Sequence, residues 1–445
     1  VFIARILGAT EYGKFSFALS FVSLFAFLSE LGLQQIVVRE FSREKKNEKD
    51  LFALLSLKLL INFIFFFAVF FFSFFVTSEE KIRLLIWSLS LLIIIEGFLS
   101  IFYAFFHARQ KMEYESTSRI LESLLIFLFA IFSLLLFPNI FYLSFSYLLA
   151  AFFTFLFVSL FFHLKFFPLY FKFDSSVWKK YLKLSWPLAL LGFLISLFNN
   201  FDSVFLGYLN MMKEVGWYNA VKRIVSASAL PCFLLNVSFF PMINSLFFNS
   251  REKFKKLWFL SLKLIFFLAF PILLGAIFLA QKIIDFVYDP SFFPAIFSFR
   301  SLSLMIFFNV LSLPFSRALL ILNEQKKISY AFLVSTLINL FLNLILIPRY
   351  SLNGASLSSL VAMIFFFLLS VYFLKRVFPF RFKENNLLLL ILGTILSSLL
   401  MIFFISRPFF LKFHLIFIIF LGSLFYFLSF SLYYFLLKFF KIELF

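Results

Sequence analysis

The sequence predicts an all-α polytopic membrane protein that crosses a bilayer about fourteen times, and three observations carry that prediction. The first is composition: of 445 residues, 63% are hydrophobic and only 14% are charged, whereas the surface of a water-soluble domain requires roughly 25% charged residues. The second is the length of the apolar runs. Residues 59–76 contain no charge, close to the ~20 apolar residues that a helix needs to cross the hydrocarbon core, and comparable runs recur to the C-terminus. The third is the alternation of basic charge between successive loops.

The spans fall near 1–8, 15–37, 51–76, 84–106, 120–137, 141–162, 184–206, 218–248, 257–280, 296–322, 328–347, 353–374, 387–405 and 413–437. The chain opens on Val1 inside a helical pattern, so most of the first span is expected to precede it, and nothing reads as a cleavable signal peptide. Loops on one side, 38–50, 107–119, 163–183, 249–256, 323–329, 375–383 and 438–445, hold 25 Lys and Arg. Those on the other, 9–14, 77–83, 138–140, 207–217, 281–295, 348–352 and 406–412, hold 8. Short loops rich in Lys and Arg stay in the cytoplasm, so the first set is expected to be cytoplasmic, with both termini inside a prokaryotic inner membrane. An N-terminal six-helix lobe is expected over 1–165, a second over 166–380, and two additional helices over 381–445.

Composition also excludes functions. Cys232 is the single cysteine, and His107, His163 and His414 lie far apart, so no metal ligand set and no intrachain disulfide is expected. No nucleophile elbow or phosphate-binding glycine loop occurs. The net charge of +19 is accounted for by topology and by attraction to anionic headgroups rather than by nucleic acid. The 83 phenylalanines read as filler for lipid-facing positions, because lipid accepts any bulky apolar side chain. The predicted outer loops leave no room for the site of a polytopic glycosyltransferase or polymerase. Asp285 and Asp289, which fall together in the loop 281–295, read as interfacial.

Seven cations fall inside spans: Arg5, Lys58, Lys222, Arg223, Lys263, Arg300 and Arg317. An ionisable group at the bilayer centre costs at least ~2.5 kcal/mol and so faces a partner or a wet cavity. Lys58, Lys263 and Arg300 lie within two turns of a predicted end and are expected to snorkel to the interface. Arg119 and Glu122 read as a structural pair. Arg5, Lys222, Arg223 and Arg317, with the polar step Asn199, Asn200 and Asp202, are the candidates for lining a cavity. Glu96, an isolated carboxylate within its span, and Asp202 are the candidates for coupling to a proton or sodium gradient; no other cofactor is expected. Further amides sit at membrane depth at Asn62, Asn219, Asn236, Asn339 and Asn343. The excess of cations suits an anionic, phosphate-bearing ligand.

A faint internal repeat is present. Leu7-Gly8 leads through Glu11-Tyr12-Gly13 into one span, and Leu206-Gly207 leads through Glu214-Val215-Gly216-Trp217-Tyr218 into another. Equivalent copies separated by an even number of spans give a parallel repeat, about an axis along the membrane normal. The stretch Ala4 to Phe15, the step Glu30-Leu31-Gly32-Leu33 with Val38-Arg39-Glu40, and Val215 to Ala220 after Asp202 resemble the polysaccharide (O-antigen/repeat-unit) flippase family. Asn343 with Ile347 to Ala355 is similar to that family's turn between helices 11 and 12, except that Ser351 stands where the family often has Gly. The family belongs to the multidrug/oligosaccharidyl-lipid/polysaccharide exporter superfamily.

The resemblance implies two six-helix lobes around a central cavity bordered by helices 1, 2, 7 and 8, with two further helices outside this core. It implies alternating-access flipping of a lipid-linked oligosaccharide from inner to outer leaflet for cell-surface polysaccharide (O-antigen/lipopolysaccharide) biosynthesis. Membrane lipids, and a polysaccharide polymerase and glycosyltransferases, would be its partners. A multidrug or other lipid exporter of the same superfamily is the competing expectation.

Overall fold

A computed structural model of the chain describes residues 2–43, 48–166, 170–380, 386–411 and 413–439. The basic residues expected in loops at Lys45, Lys46, Arg381, Lys383, Lys412 and Lys441, and the start of the last expected domain at 381, lie outside the described residues. Among the described residues there are helices and no strands. They run in the order α1 (Phe2–Glu30), α2 (Leu33–Arg43), α3 (Glu48–Val76), α4 (Glu80–Ala108), α5 (Met112–Leu136), α6 (Ile140–Lys165), α7 (Ser175–Tyr208) and α8 (Met212–Ser228). After these come α9 (Leu230–Asn249), α10 (Arg251–Phe278), α11 (Ala280–Val287), α12 (Ile296–Ile321), α13 (Gln325–Val377), α14 (Leu387–Ile405), α15 (Pro408–Leu411) and α16 (Leu415–Phe439).

Twelve continuous helical segments are long and apolar enough to cross a membrane among the described residues, against the fourteen spans expected. The difference lies at two kinks. Gly8 (φ 73°, ψ 169°) interrupts α1, and Ser351 (φ 48°, ψ −126°) interrupts α13. The second break makes a hairpin. Asn339 Nδ2 donates to Ser359 Oγ over 3.4 Å, although residues twenty apart on a straight helix stand about 30 Å apart. The two halves of α13 are therefore separate crossings, which makes thirteen, and the expected first span is represented only by the short piece of helix before Gly8.

Boundaries shift where local chemistry dictates. The expected loop 9–14 is helical, because Gly8 alone supplies the turn. The expected span 15–37 is broken at Leu31 (φ 43°) and Gly32 (φ 68°). The expected span 218–248 divides into α8 and α9 at Ala229. The expected loop 281–295 carries α11 and a short 3-10 turn over Pro290–Ala295. Three tight turns share one device: Gln110, Asn210 and Asn323 take positive φ. The next amide returns to a carbonyl five residues back, as in Lys111 N to Phe106 O (2.9 Å), Met211 N to Leu206 O (3.1 Å) and Glu324 N to Leu319 O (2.8 Å). This satisfies carbonyls that a helix end would otherwise strand. Asp174 caps α7 through the amides of Ser176 and Val177. Those bonds, the Ser176 hydroxyl and Lys172 hold its carboxyl down at about 2.

The chain divides into two compact units, one of residues Phe2–Gly216 and one that begins at Trp217. The division falls within α8, so α7 belongs with the N-terminal unit. There α7 lies along α1: Ser196 Oγ donates to Ser23 O (2.7 Å), the Phe27 and Phe193 rings meet at 4.7 Å, and Gly32 clears Leu188. The two copies of the repeat motif also touch within this unit. A Cβ on Gly13 would strike the carbonyl of Met212, and one on Gly216 would strike the carbonyl of Ala9. The contact is reciprocal, as a two-fold relation between copies requires.

In the C-terminal unit, α10 packs on α9, α12 and α14, and α14 packs on α16. Trp258 is its aromatic anchor. The Trp258 indole donates to Pro314 O over 3.1 Å, and the ring meets Phe315 and Phe380 edge-on.

Candidate functional site

Each unit holds its own polar assembly. In the N-terminal unit, Lys58 on α3 and Ser29 on α1 are 0% exposed, and Asn62 is 3% exposed. The Lys58 ammonium donates to the backbone carbonyl of Ser29. The Ser29 hydroxyl donates to Asn62 Oδ1 (2.8 Å), and Asn62 Nδ2 donates to Ile94 O on α4 (3.2 Å). A Cβ at Gly97 would stand 2.9 Å from Lys58 Cε, so glycine is what lets α4 close over the lysine. Lys58 thus does not snorkel. The helix begins at Glu48 rather than at 51, which moves Lys58 about 15 Å from its start.

In the C-terminal unit, Tyr218, Asn339, Asn343 and Ser359 are fully buried together. The Tyr218 hydroxyl meets Ser359 Oγ at 3.3 Å, and Asn343 Nδ2 donates to Asn339 Oδ1 at 3.2 Å. Lys222 stands one turn from Tyr218 with its ammonium 5.4 Å from the ring centre, a cation–π contact. Immediately after Lys222 and Arg223 in the chain, Ile224 and Ser228 line a groove of about 390 Å³. Its other walls include Pro271 and Gly275 of α10, Met401 of α14, and Gly422 and Tyr426 of α16, and they are almost wholly apolar.

The remaining candidates are spread over both units. Arg5, Glu96 and Asn199 are exposed on the N-terminal unit, Asn200 donates to Ser196 O of its own helix (3.0 Å), and Asp202 is 0% exposed. Arg223 is exposed on the C-terminal unit. Arg317 is half-buried over the Phe240 ring at 4.9 Å, in a separate cleft with Asn236 and Trp258. Lys263 is buried rather than snorkelling, and Arg300 is exposed with its Nε donating to Ile277 O (3.2 Å). Arg119 bonds Glu115 (2.7 Å), one turn back, as well as lying in the field of Glu122. Among the described residues no group of His, Cys, Asp and Glu could hold a metal ion.

The family of polysaccharide biosynthesis proteins matches residues 1–247, more than half of the chain. The chain belongs to that family. An uncharacterized membrane protein of Methanocaldococcus jannaschii is 23% identical to this chain over 441 residues, covering 90% of this chain and 86% of its own. Among solved structures, the lipid II flippase MurJ in an inward closed conformation superposes with a TM-score of 0.79, 19% identity and 98% coverage of both chains. An inward-facing multidrug resistance MATE family transporter superposes with a TM-score of 0.67 at 15% identity, covering 84% of this chain and 94% of its own. The chain therefore shares the all-α fold of these two structures. The solved relatives are a flippase and a transporter, not enzymes.

Sequence reasoning missed the Lys58 assembly because the lysine was weighed alone. Lys58 and Asn62 stand four residues apart, on one face of a helix that is otherwise apolar there. That pairing was the available signal.

Proposed function

We propose that this protein flips a lipid-linked oligosaccharide, a polyprenyl-pyrophosphate repeat unit, from the inner to the outer leaflet of a prokaryotic cell membrane, for assembly of a surface polysaccharide. One observation carries the reading: Lys222 and Arg223 precede, on the same helix, Ile224, which helps to line the apolar groove. A cationic step next in sequence to an apolar groove suits an amphipathic ligand with an anionic head. Arginine grips phosphate with a planar fork and lysine as a point charge, while the groove solvates the isoprenoid chain as lipid would. Arg5, Asn199, Asn200, Asp202 and Arg317 are the further head-group candidates. Glu96 and Asp202 are the candidates for coupling to a proton or sodium gradient.

The cycle requires no covalent step. The head group moves through a polar path while the tail stays in an apolar one, and the protein alternates the side to which the path opens. Membrane lipids, a polymerase and glycosyltransferases are its expected neighbours. Arg5→Ala and Arg223→Ala should each cut surface polysaccharide at least ~10-fold, equivalent to one lost charge-assisted contact of about 1.4 kcal/mol, with the protein still in the membrane. Wild-type glycan output from both variants would remove the head-group assignment. Drug resistance conferred without any glycan defect would instead favour a multidrug exporter.

A further inference from the structure

The end of α1 is unusual because it lies within an apolar span. The helix stops at Glu30, Leu31 and Gly32 take positive φ, and α2 resumes at Leu33. Such an end strands carbonyls, and hydrocarbon offers no water to satisfy them. Leu31 N takes the Phe27 carbonyl at 2.8 Å, and the Lys58 ammonium takes that of Ser29. A helix C-terminus carries about half a negative charge, and the Glu30 carboxylate, on the helix's last residue, adds to the field on Lys58. The Ser29 hydroxyl and Asn62 Oδ1, bonded to each other at 2.8 Å, gather with Lys58 Cε around the place where a Cβ on Gly97 would stand. Unwound carbonyls at a half-helix C-terminus are where transporters hold small cations, and here a side-chain ammonium stands in that place.

We propose that the end of α1, with Ser29, Glu30 and Asn62, is a monovalent-cation position that the chain fills with its own Lys58. The tethered ammonium supplies the counter-charge that a free Na⁺ or K⁺ would otherwise provide. The second repeat carries a similar feature: Lys263 is 5% exposed and lies on α10, 205 residues after Lys58. The glycines of the repeat motif, Gly13 and Gly216, are separated by a similar 203 residues.

The test needs no substrate, so its failure and that of the flippase reading are distinguishable. The full-length chain with Lys58→Ala is purified in choline, sodium, potassium or methylammonium chloride at equal ionic strength, and thermal unfolding is followed in each. At least one small cation should raise the variant's midpoint by roughly 2 °C or more over choline, while wild type melts alike in all four. A folded Lys58→Ala that ignores every small cation overturns the proposal, and so does a wild type that responds as the variant does. Lys58→Ser provides the second variant. Failure of both to fold even in the small cations also overturns it, since a free cation should then hold the helix end.

Discussion

The two compact units descend through matching helices, yet they bury different polar chemistry. The N-terminal unit encloses a full positive charge, Lys58, against a broken helix end. The C-terminal unit also buries a lysine, Lys263, and adds a ladder of neutral amides and hydroxyls, Tyr218, Ser359, Asn339 and Asn343. It also holds an apolar groove lined in part by Ile224 and Ser228. The difference teaches that the repeat preserves architecture while its polar content is free to diverge. A neutral ladder cross-links the two arms of α13. A charge caps the interruption in the path from α1 to α2.

The largest effect should come where the two copies meet. Gly13→Leu and Gly216→Leu each drive a side chain into the other copy's backbone, and no rotamer relieves a clash that begins at Cβ. Each should destabilise by at least ~3 kcal/mol, the upper range for overpacking, and abolish recovery of monodisperse protein on size-exclusion chromatography. A strong effect from one glycine and none from the other would break the reciprocity.

Much of this was legible in the sequence. Hydropathy and alternating basic loops marked the crossings, because lipid and charge act on composition directly. The contact between Glu11-Tyr12-Gly13 and Glu214-Val215-Gly216 was visible as a repeat, though not as two surfaces that touch. What could not be read was side-chain direction. Lys58 near an expected helix end and Arg300 near another look alike as letters, but one is wholly buried and the other exposed. Rotation about the helix axis and the true start of α3 decide between them, and neither is coded by any single residue.

A smaller pair of variants sharpens the contrast between charged and neutral networks. Asn62→Leu removes the acceptor of Ser29 next to a buried cation, and Asn339→Leu removes a rung between neutral groups. Leaving buried polar groups unsatisfied costs about 1–3 kcal/mol, more beside a charge. Asn62→Leu should therefore lower the thermal midpoint more than Asn339→Leu, and the reverse order would mean that the ladder, not the lysine, is the stiffer element.

The smallest effect concerns the two kinks. Gly8 meets its positive φ with glycine, whereas Ser351 holds φ 48° with a Cβ. Ser351→Gly should raise stability by about 1 kcal/mol, the penalty an L-residue incurs there, less the added freedom of the unfolded chain. A lower midpoint would show that the serine side chain contributes more than its backbone strain removes.

The central claim, that the protein moves an anionic lipid-linked oligosaccharide between leaflets, is tested most directly in reconstituted vesicles carrying a fluorescent polyprenyl-pyrophosphate oligosaccharide. Accessibility of its sugar to an external, membrane-impermeant oxidant is followed over time. Wild type should carry accessibility beyond the outer-leaflet share. Lys222→Gln with Arg223→Gln should slow this at least ~10-fold for any tail length. Gly275→Phe, which fills the groove from a glycine with open space around its Cβ, should slow long tails more than short ones. Oxidation that stays at the share seen in protein-free vesicles, with the protein folded and inserted, would contradict the account.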